Sequence, residues 1–188
     1  QARKKYQSVF AREAGSIAAP TAGLHFTPRL FKKLESAGIP RLNVTLHVGM
    51  GTFAPLTKKN LDEKKLFLEH FHIDKKINAQ MQKLRNEGRS IIAVGTTTVR
   101  TLESAAASPT PAGGGPASAT DLFIMPPYQF KMTDGLITNF HLPDSSLMHL
   151  VEAFLQHKKS RRTLKELYEA AIKSHFKFYS FGDAMLIM

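Results

Sequence analysis

Two short segments of the sequence combine histidine, hydroxyl side chains and glycine in a way that suits a ligand site. Their candidate residues are Thr21, Gly23 and His25 in residues 18–26, and His47, Gly49, Gly51 and Thr52 in residues 45–53. Glycine allows a backbone to turn tightly and to approach a ligand closely. A structural turn has no need of histidine or threonine, so we interpret both segments as ligand-facing. Ordinary turns with hydrogen-bonded histidines are the alternative.

A third cluster follows a short apolar run that predicts a buried strand. Gly95 comes directly after this run, and Thr96 and Thr97 begin a predicted helix. Unpaired backbone N–H groups at a helix start favour an anion or another polar ligand. The alternatives are simple threonine capping of the helix and a surface pair between Arg100 and Glu103, which are three residues apart.

A fourth cluster, which contains Asn139, His141 and Ser145, follows the second strand of a predicted hairpin. Ser145 is also a suitable N-cap for the next helix. A basic joint follows that helix and consists of Lys158, Lys159, Arg161 and Arg162. We interpret this joint as a candidate for sequence-independent phosphate contacts, although such joints are more often solvated turns.

The overall charge favours polyanionic partners, with nucleic acid first among them. Lysine and arginine number 26 against 15 acidic residues, and the formal net charge is +11. An acidic segment outside this sequence could balance that charge and is the alternative. The absence of cysteine excludes disulfides and thiolate metal sites in these residues, and no metal site is predicted. Neither a membrane span nor a leader is visible, so we expect a cytoplasmic protein.

The elements predict one α/β domain over residues 1–188, with layered α/β/α architecture, a largely parallel sheet and one antiparallel hairpin. The predicted strands lie at 41–48, 66–73, 91–94, 122–125, 130–132, 136–140 and 176–181. The predicted helices begin after Thr27, Asp74, Gly95, Ser145 and Thr163. A flexible loop is predicted near 108–120. Each polar cluster follows an apolar segment, so we expect the clusters to converge at one edge of the sheet.

Six motifs are distributed in order along essentially the whole chain. They are Y-Q-x-V-F-A-R-E at 6–13, A-A-P-T-A-G-L-H-F at 18–26, T-L-H-V-G-x-G-T-F at 45–53, V-G-T-T-x-V-R-T-L-E-S at 94–104, T-N-F-H-L-P at 138–143 and F-G-D-A-M at 181–185. With them the sequence resembles the S-adenosylmethionine:tRNA ribosyltransferase-isomerase family of queuosine biosynthesis. The resemblance implies a β-barrel domain and the opening part of the α/β domain before Gln1. We therefore expect this chain to be the carboxy-terminal half.

The resemblance also implies a reaction. The family transfers the ribosyl group of S-adenosylmethionine to 7-aminomethyl-7-deazaguanine at the tRNA wobble position and isomerises it, giving epoxyqueuosine-tRNA, adenine and methionine. S-adenosylmethionine is then a co-substrate, tRNA the partner, no cofactor is bound, and a monomer is expected. A basic RNA-binding module without catalysis, or an inactive fragment, is the alternative function.

Site roles follow from the same resemblance. The acid–base candidates are His25, His47 and His141. Arg100 and Glu103 are expected to hold polar ends of the substrate. The remaining substrate-binding candidates are Thr21, Gly23, Gly49, Gly51, Thr52, Thr96, Thr97, Asn139 and Ser145, of which Thr52, Thr96, Thr97 and Asn139 are expected to bind ribose hydroxyls or the methionine carboxylate.

Overall fold

The computed structural model describes residues 6–9, 11–49, 55–107 and 118–188. A short 3-10 helix at Thr21–His25 precedes the first α-helix. The α-helices are α1 (Pro28–Ser36), α2 (Lys58–Glu63), α3 (Lys75–Asn86), α4 (Thr96–Ala107), α5 (Ser146–His157) and α6 (Leu164–Lys173). The strands are β1 (Thr45–His47), β2 (Lys65–His72), β3 (Ile92–Val94), β4 (Ser118–Leu122), β5 (Gly135–Asn139) and β6 (Ala184–Ile187).

The strands form two small sheets. In the first sheet β2 lies between β1 and β4 and is antiparallel to both. In the second, β5 lies between β3, to which it is parallel, and β6, to which it is antiparallel. The mixed α/β class is therefore confirmed, but the single, largely parallel sheet is wrong: within the described ranges only the β3–β5 pair is parallel.

The physical reason lies in the connections. A parallel pair needs a crossover, usually a helix long enough to carry the chain back along the sheet. Between β1 and β2 the described residues form one helix, α2, of six residues, and the two strands pair antiparallel. Alternation of helices and strands in a sequence does not distinguish these two kinds of connection.

The predicted hairpin is also wrong, because its first strand is absent. The backbone N–H groups of Lys131 and Met132 donate to the carboxylate of Glu103, at 2.7 and 3.0 Å, instead of to a neighbouring strand. The hairpin's second strand exists as β5 and pairs with β3 and β6. A buried side chain has thus taken the hydrogen bonds that a strand ladder would need.

Three other element bounds are corrected. The strand predicted at 122–125 lies earlier, at Ser118–Leu122, so the end of the predicted 108–120 loop belongs to β4. Residues 108–117 lie outside the described residues. The strand predicted at 176–181 is a hydrogen-bonded loop, and the terminal strand is β6. Within that loop the N–H of Tyr179 donates to the carbonyl of Phe140 at 3.0 Å, and a φ of 70° at Tyr179 is incompatible with an extended strand.

The predicted helix starts are confirmed where side-chain caps mark them. Thr27 accepts from the N–H of Leu30 at 3.1 Å, and Ser145 accepts from Met148 at 3.4 Å. Thr163 and Glu166 form the reciprocal capping box that their spacing predicts. Local sequence is sufficient for these contacts because both partners lie within one turn.

One hydrophobic cluster joins the two sheets and helices α3, α4, α5 and α6. It includes Phe71 of β2, Leu136 of β5 and Val151 and Phe154 of α5. Phe130 meets Phe154 edge to face, with ring centroids 4.9 Å apart. Helix α5 is thus central to the core, and it lies next to the segment that leaves β5.

Glu103 of α4 fixes the segment before β5. Its side chain is fully buried, and its oxygens accept from Lys131 N–H, from Met132 N–H and from the Thr133 hydroxyl, the last at 2.9 Å. These three hydrogen bonds therefore offset the free-energy cost of burying this carboxylate. The contact joins α4 to residues that lead directly into β5.

Glu69 of β2 and Arg100 of α4 form a buried ion pair that joins the first sheet to α4. Glu69 Oε1 also accepts from the N–H of Gly49 at 2.9 Å, and Arg100 Nε donates to the carbonyl of Leu122 at 3.0 Å. In the described part of the chain, Arg100 Nη2 is buried without a hydrogen-bond partner. The pair therefore links four segments, namely β2, α4, the segment at Gly49 and β4, although one guanidinium nitrogen gains no hydrogen bond on burial.

We predict that Glu103→Ala lowers the free energy of unfolding by about 2 to 4 kcal/mol, because it leaves buried donors unsatisfied. Urea unfolding monitored by circular dichroism measures the change. Glu87→Ala is the matched control. The carboxylate of Glu87 is half-exposed and makes a weak contact with Lys83 at 3.9 Å, so a change within about 0.5 kcal/mol is expected. Equal effects of the two substitutions would contradict the structural role of Glu103.

We predict that Glu69→Leu or Arg100→Met alone lowers the free energy of unfolding by about 3 to 5 kcal/mol, because each leaves a buried charge unpaired. The double variant Glu69→Leu/Arg100→Met is expected to lose less than the sum of the single variants, since it removes both charges. Chemical denaturation of the four proteins measures this coupling. Additive losses would show that the two side chains act independently.

Candidate substrate site

A cavity of about 130 Å³ lies where β3 and β5 end, close to the 3-10 helix. Its lining includes Thr21, Thr96, Thr97, Asn139, His141 and Ser145. These residues come from the first, third and fourth polar clusters, which are far apart in the sequence. Together with Thr138, seven residues from these three segments that carry a hydroxyl, amide or imidazole group line the cavity.

The parallel pairing of β3 and β5 accounts for much of this convergence. Because the two strands run in the same direction, their carboxyl ends lie at the same edge, and Gly95 and Asn139 both reach the cavity. Gly95 has a φ of 95°, which an L side chain rarely adopts, and an added Cβ would lie 3.9 Å from the Cβ of Ala22. The positive φ therefore favours glycine at this turn, whereas the space beside Ala22 would accommodate a Cβ.

The amino end of α4 faces this cavity through Thr96 and Thr97, which are both buried. The first N–H groups of a helix have no partner within the helix, and its dipole is positive at this end. A carboxylate or another anion would therefore be favoured in this part of the cavity.

Asn139 connects three segments around the cavity. Its Oδ1 accepts from the Thr21 hydroxyl at 3.2 Å, and its Nδ2 lies 3.2 Å from His25 Nε2. Nδ2 also lies 3.2 Å from the carbonyl oxygen of Tyr179 and 3.4 Å from that of Asp183. The side chain is 2 % exposed, so these contacts satisfy an amide that is withdrawn from water.

His141 is mostly buried beside the cavity. Burial lowers the pKa of its imidazole from 6.5 to about 4, because the charged form would be poorly solvated. Its Nε2 lies 2.8 Å from Thr138 Oγ1, and its backbone N–H donates to the Tyr168 hydroxyl at 2.8 Å. The ring is therefore held in place and is neutral at pH 7.

His25 and His47 differ from His141 in their surroundings. His25 is exposed and touches the cavity network through Asn139. His47 is paired with His70 across β1 and β2, and its Nδ1 lies 2.8 Å from the position of a Cβ added to Gly15. Neither ring is among the described residues that line the cavity, whereas Val48, next to His47, is.

The glycine and threonine candidates of the first two segments have separate positions. Gly23 is buried inside the 3-10 helix, and its N–H donates to the carbonyl of Pro20 at 2.8 Å. The N–H of Gly49 donates to Glu69, as described above. Gly51 and Thr52 lie outside the described residues.

Arg100 and Glu103 lie away from the cavity lining, among the residues that the structure describes. The surface-pair alternative is wrong, because both side chains are buried and contact different partners. Glu69 and Tyr179 are not among the site residues predicted from the sequence. A lone carboxylate within the run Leu68-Glu69-His70-Phe71 is a weak signal for a buried ion pair, and it was available. Tyr179 gave no such signal, since its position depends on the loop.

The four basic candidates lie in the joint between α5 and α6. Lys158 is partly buried, and its Nζ donates to the carbonyl of Asp134 at 3.0 Å. Lys159, Arg161 and Arg162 are exposed. The joint therefore presents positive charge to solvent.

Two features are absent from the residues that the structure describes. No group of three or more His, Cys, Asp or Glu side chains there is arranged to hold a metal ion. None of the described helices has the length and apolar character that a membrane crossing requires.

Comparison with known proteins gives a family. The family model for queuosine biosynthesis proteins matches residues 1–187. The chain is 47 % identical over 185 residues to the S-adenosylmethionine:tRNA ribosyltransferase-isomerase of Thermotoga petrophila, covering 98 % of this chain and 53 % of that protein. It is 46 % identical over 186 residues to the protein of the same name from Paraburkholderia xenovorans, covering 97 % of this chain and 52 % of that protein.

A solved structure is also similar. The crystal structure of S-adenosylmethionine tRNA ribosyltransferase from Thermotoga maritima matches with a TM-score of 0.70 and 40 % identity, covering 89 % of this chain and 51 % of that one. The chain therefore spans about half the length of the curated relatives that it matches. Because the family model matches nearly every residue, the chain belongs to the queuosine biosynthesis protein family.

Proposed function

We propose that this chain forms part of an S-adenosylmethionine:tRNA ribosyltransferase-isomerase. The reaction transfers and isomerises the ribosyl group of S-adenosylmethionine to 7-aminomethyl-7-deazaguanine at the wobble position of tRNA. Its products are epoxyqueuosine-tRNA, adenine and methionine. S-adenosylmethionine is a co-substrate, and the proposal includes no bound cofactor or metal.

The observation that carries the proposal is the polar cavity built from distant segments of a chain that belongs to this family. Hydroxyl, amide and imidazole groups of Thr21, Asn139 and His141 meet there, beside the amino end of α4. Such groups suit a ligand that has several hydroxyls and a carboxylate. The methionine carboxylate is proposed to lie near Thr96 and Thr97, where the helix dipole favours negative charge.

The protonation state of His141 suits one catalytic role better than another. The reaction is proposed to need a base beside the sulfonium and an acid that helps adenine to leave. A ring that is neutral at pH 7 carries no extra proton to donate, so we assign His141 to the base, and its pKa of about 4 makes it a weak one. His25 is exposed and linked to Asn139, and we assign it to the leaving adenine. His47 and Gly49, which flank Val48 of the lining, remain further candidates.

The binding of tRNA is proposed to use positive charge outside the cavity. Lys159, Arg161 and Arg162 are exposed in the joint between α5 and α6, and the formal net charge is +11. Contacts of this kind bind the phosphate backbone without reading sequence. A cytoplasmic monomer, with a β-barrel domain before this segment, completes the proposal.

We predict that His25→Ala and His141→Ala each lower the rate of adenine release by about tenfold or more, because each removes a proton-transfer group. The assay uses the complete protein that carries this chain, with S-adenosylmethionine and tRNA that contains 7-aminomethyl-7-deazaguanine, and measures adenine by chromatography. His72→Ala is the matched control, since His72 is exposed on β2. Near-normal release by both variants would contradict the site assignment.

Binding of S-adenosylmethionine separates the enzyme from a non-catalytic RNA-binding module. An enzyme must bind S-adenosylmethionine and release adenine when tRNA is present. A binding module would show only tRNA affinity that falls with salt. Calorimetric titration with S-adenosylmethionine alone therefore decides between the two functions.

We predict that acidification destabilises the protein through His141. The folded pKa of about 4 lies below the ordinary value of 6.5, so the unfolded chain binds more protons between these two values. This contribution to stability is present above pH 6.5 and is lost as the pH falls, by about 2 kcal/mol at pH 5. Urea unfolding of the wild type and of His141→Gln, above pH 6.5 and at pH 5, measures this change in the free energy of unfolding. A parallel pH dependence of the two proteins would contradict a buried, neutral His141.

A further inference from the structure

The aromatic loop, defined as residues 175–183, presents two ring side chains that the hydrophobic core does not use. Tyr179 is 54 % exposed and lines the cavity, and Phe181 is 70 % exposed. By contrast, Phe178 of the same loop packs on Phe140, with ring centroids 4.7 Å apart, and on Tyr168 at 5.4 Å. Phe176 also contacts Phe140, with ring centroids 5.9 Å apart, so two aromatic rings anchor the loop, while Tyr179 lines the cavity and Phe181 faces solvent.

Their exposure does not result from a loose loop. The side chain of Asp183 accepts from the N–H of Lys177 at 2.7 Å, and the N–H of Asp183 donates back to the carbonyl of Lys177 at 2.7 Å. The N–H of Gly182 donates to the carbonyl of Tyr179 at 3.1 Å, and Asn139 donates to the same carbonyl. Hydrogen bonds thus close the loop on itself and attach it to β5.

The backbone conformation of this loop is unfavourable for most residues at two positions. Tyr179 has a φ of 70°, a region that a bulky L residue rarely occupies unless its surroundings impose it. A Cβ added to Gly182 would lie 2.3 Å from the carbonyl oxygen of Lys177, so only glycine fits there. The fold therefore maintains an unfavourable conformation that places an aromatic side chain at the cavity.

The chemistry of the surface indicates its partner. Exposed, rigid aromatic rings stack on the faces of unpaired nucleobases, and this attraction is independent of base identity. Lys177 is exposed in the same loop, and the formal net charge of +11 favours a polyanion. Tyr6 touches Phe181, with ring centroids 5.7 Å apart, and Phe181 still keeps its exposure.

We propose that Tyr179 and Phe181 form a stacking surface for an unpaired nucleobase of RNA, at the edge of the cavity. The proposal rests on the proposed function for the presence of an RNA substrate, and it assigns the contact that holds an unpaired base beside the cavity. The two rings stack on the flat face of a base, so they favour the unpaired bases of looped RNA over duplex RNA, whose bases are already stacked.

The test uses the complete protein that carries this chain and a short RNA stem-loop with 2-aminopurine in its loop. Stacking quenches 2-aminopurine fluorescence, and fluorescence anisotropy of the end-labelled RNA gives Kd. The variants are Tyr179→Ala and Phe181→Ala, singly and together, with Tyr179→Phe as the conservative variant. Phe67→Ala is the matched control, because Phe67 is 52 % exposed on β2 and is outside the loop.

We expect each alanine substitution to raise the Kd for the stem-loop by about fivefold or more and to reduce the quenching, because each removes a stacking ring. Tyr179→Phe and Phe67→Ala should bind as the wild type does. A duplex RNA of equal length should bind all variants equally, since its affinity depends on charge. Unchanged stem-loop affinity, or an equal loss for stem-loop and duplex, would overturn the proposal.

Thermal unfolding of each variant separates stacking from folding. If another part of the protein covers these rings, the substitutions will lower Tm without changing stem-loop affinity, and this outcome overturns the proposal. If the double variant does not fold, Phe181→Ala alone decides, because its side chain is mostly exposed. Titration with S-adenosylmethionine without RNA tests the proposed function separately: its failure leaves the quenching intact, whereas failure of stacking leaves this binding intact.

Discussion

The buried amide of Asn139 is the constraint on which the cavity depends. One side chain joins the 3-10 helix through Thr21 and His25 to the aromatic loop through Tyr179 and Asp183. Because an unsatisfied amide at 2 % exposure would be costly, these segments are held together whenever Asn139 is buried. Its position at the end of β5 in turn follows from the pairing of β5 with β3 and β6.

The charged residues of α4 serve the fold and not the cavity lining. Arg100 pairs with Glu69 of the first sheet, and Glu103 holds the segment that leads into β5. Both contacts lie further along the helix than Thr96 and Thr97, whose end of α4 opens on the cavity. A single helix therefore provides a polar terminus for a ligand, while its buried charges fix the two sheets relative to it.

The site and the surface differ in their electrostatics, and the difference suits two kinds of partner. Burial keeps the His141 imidazole neutral beside the cavity, where a small ligand would displace water. The exposed lysines and arginines instead create a positive field at the surface, which salt would weaken. The aromatic loop lies where these two environments meet, since Tyr179 both lines the cavity and faces solvent.

The sequence by itself determined the features that depend on neighbours along the chain. The helix caps at Thr27, Ser145 and Thr163 and the helices that follow them could be predicted, because both partners of each contact lie within one turn. The motifs were also sufficient for the family, since they occur in order along the whole chain.

Only the tertiary structure decided strand direction, strand pairing and the partners of the buried polar groups. Residues 130–132 have the pattern of a strand, but the N–H groups of Lys131 and Met132 donate to Glu103. Glu103 lies 29 positions before Met132, so no local sequence pattern indicates this contact. The same holds for Arg100, whose partner lies on β2, and for the Tyr179 ring, which depends on a loop closed by Asp183. The physical reason is that hydrogen bonds and ion pairs depend on distance in space, which local sequence patterns do not encode.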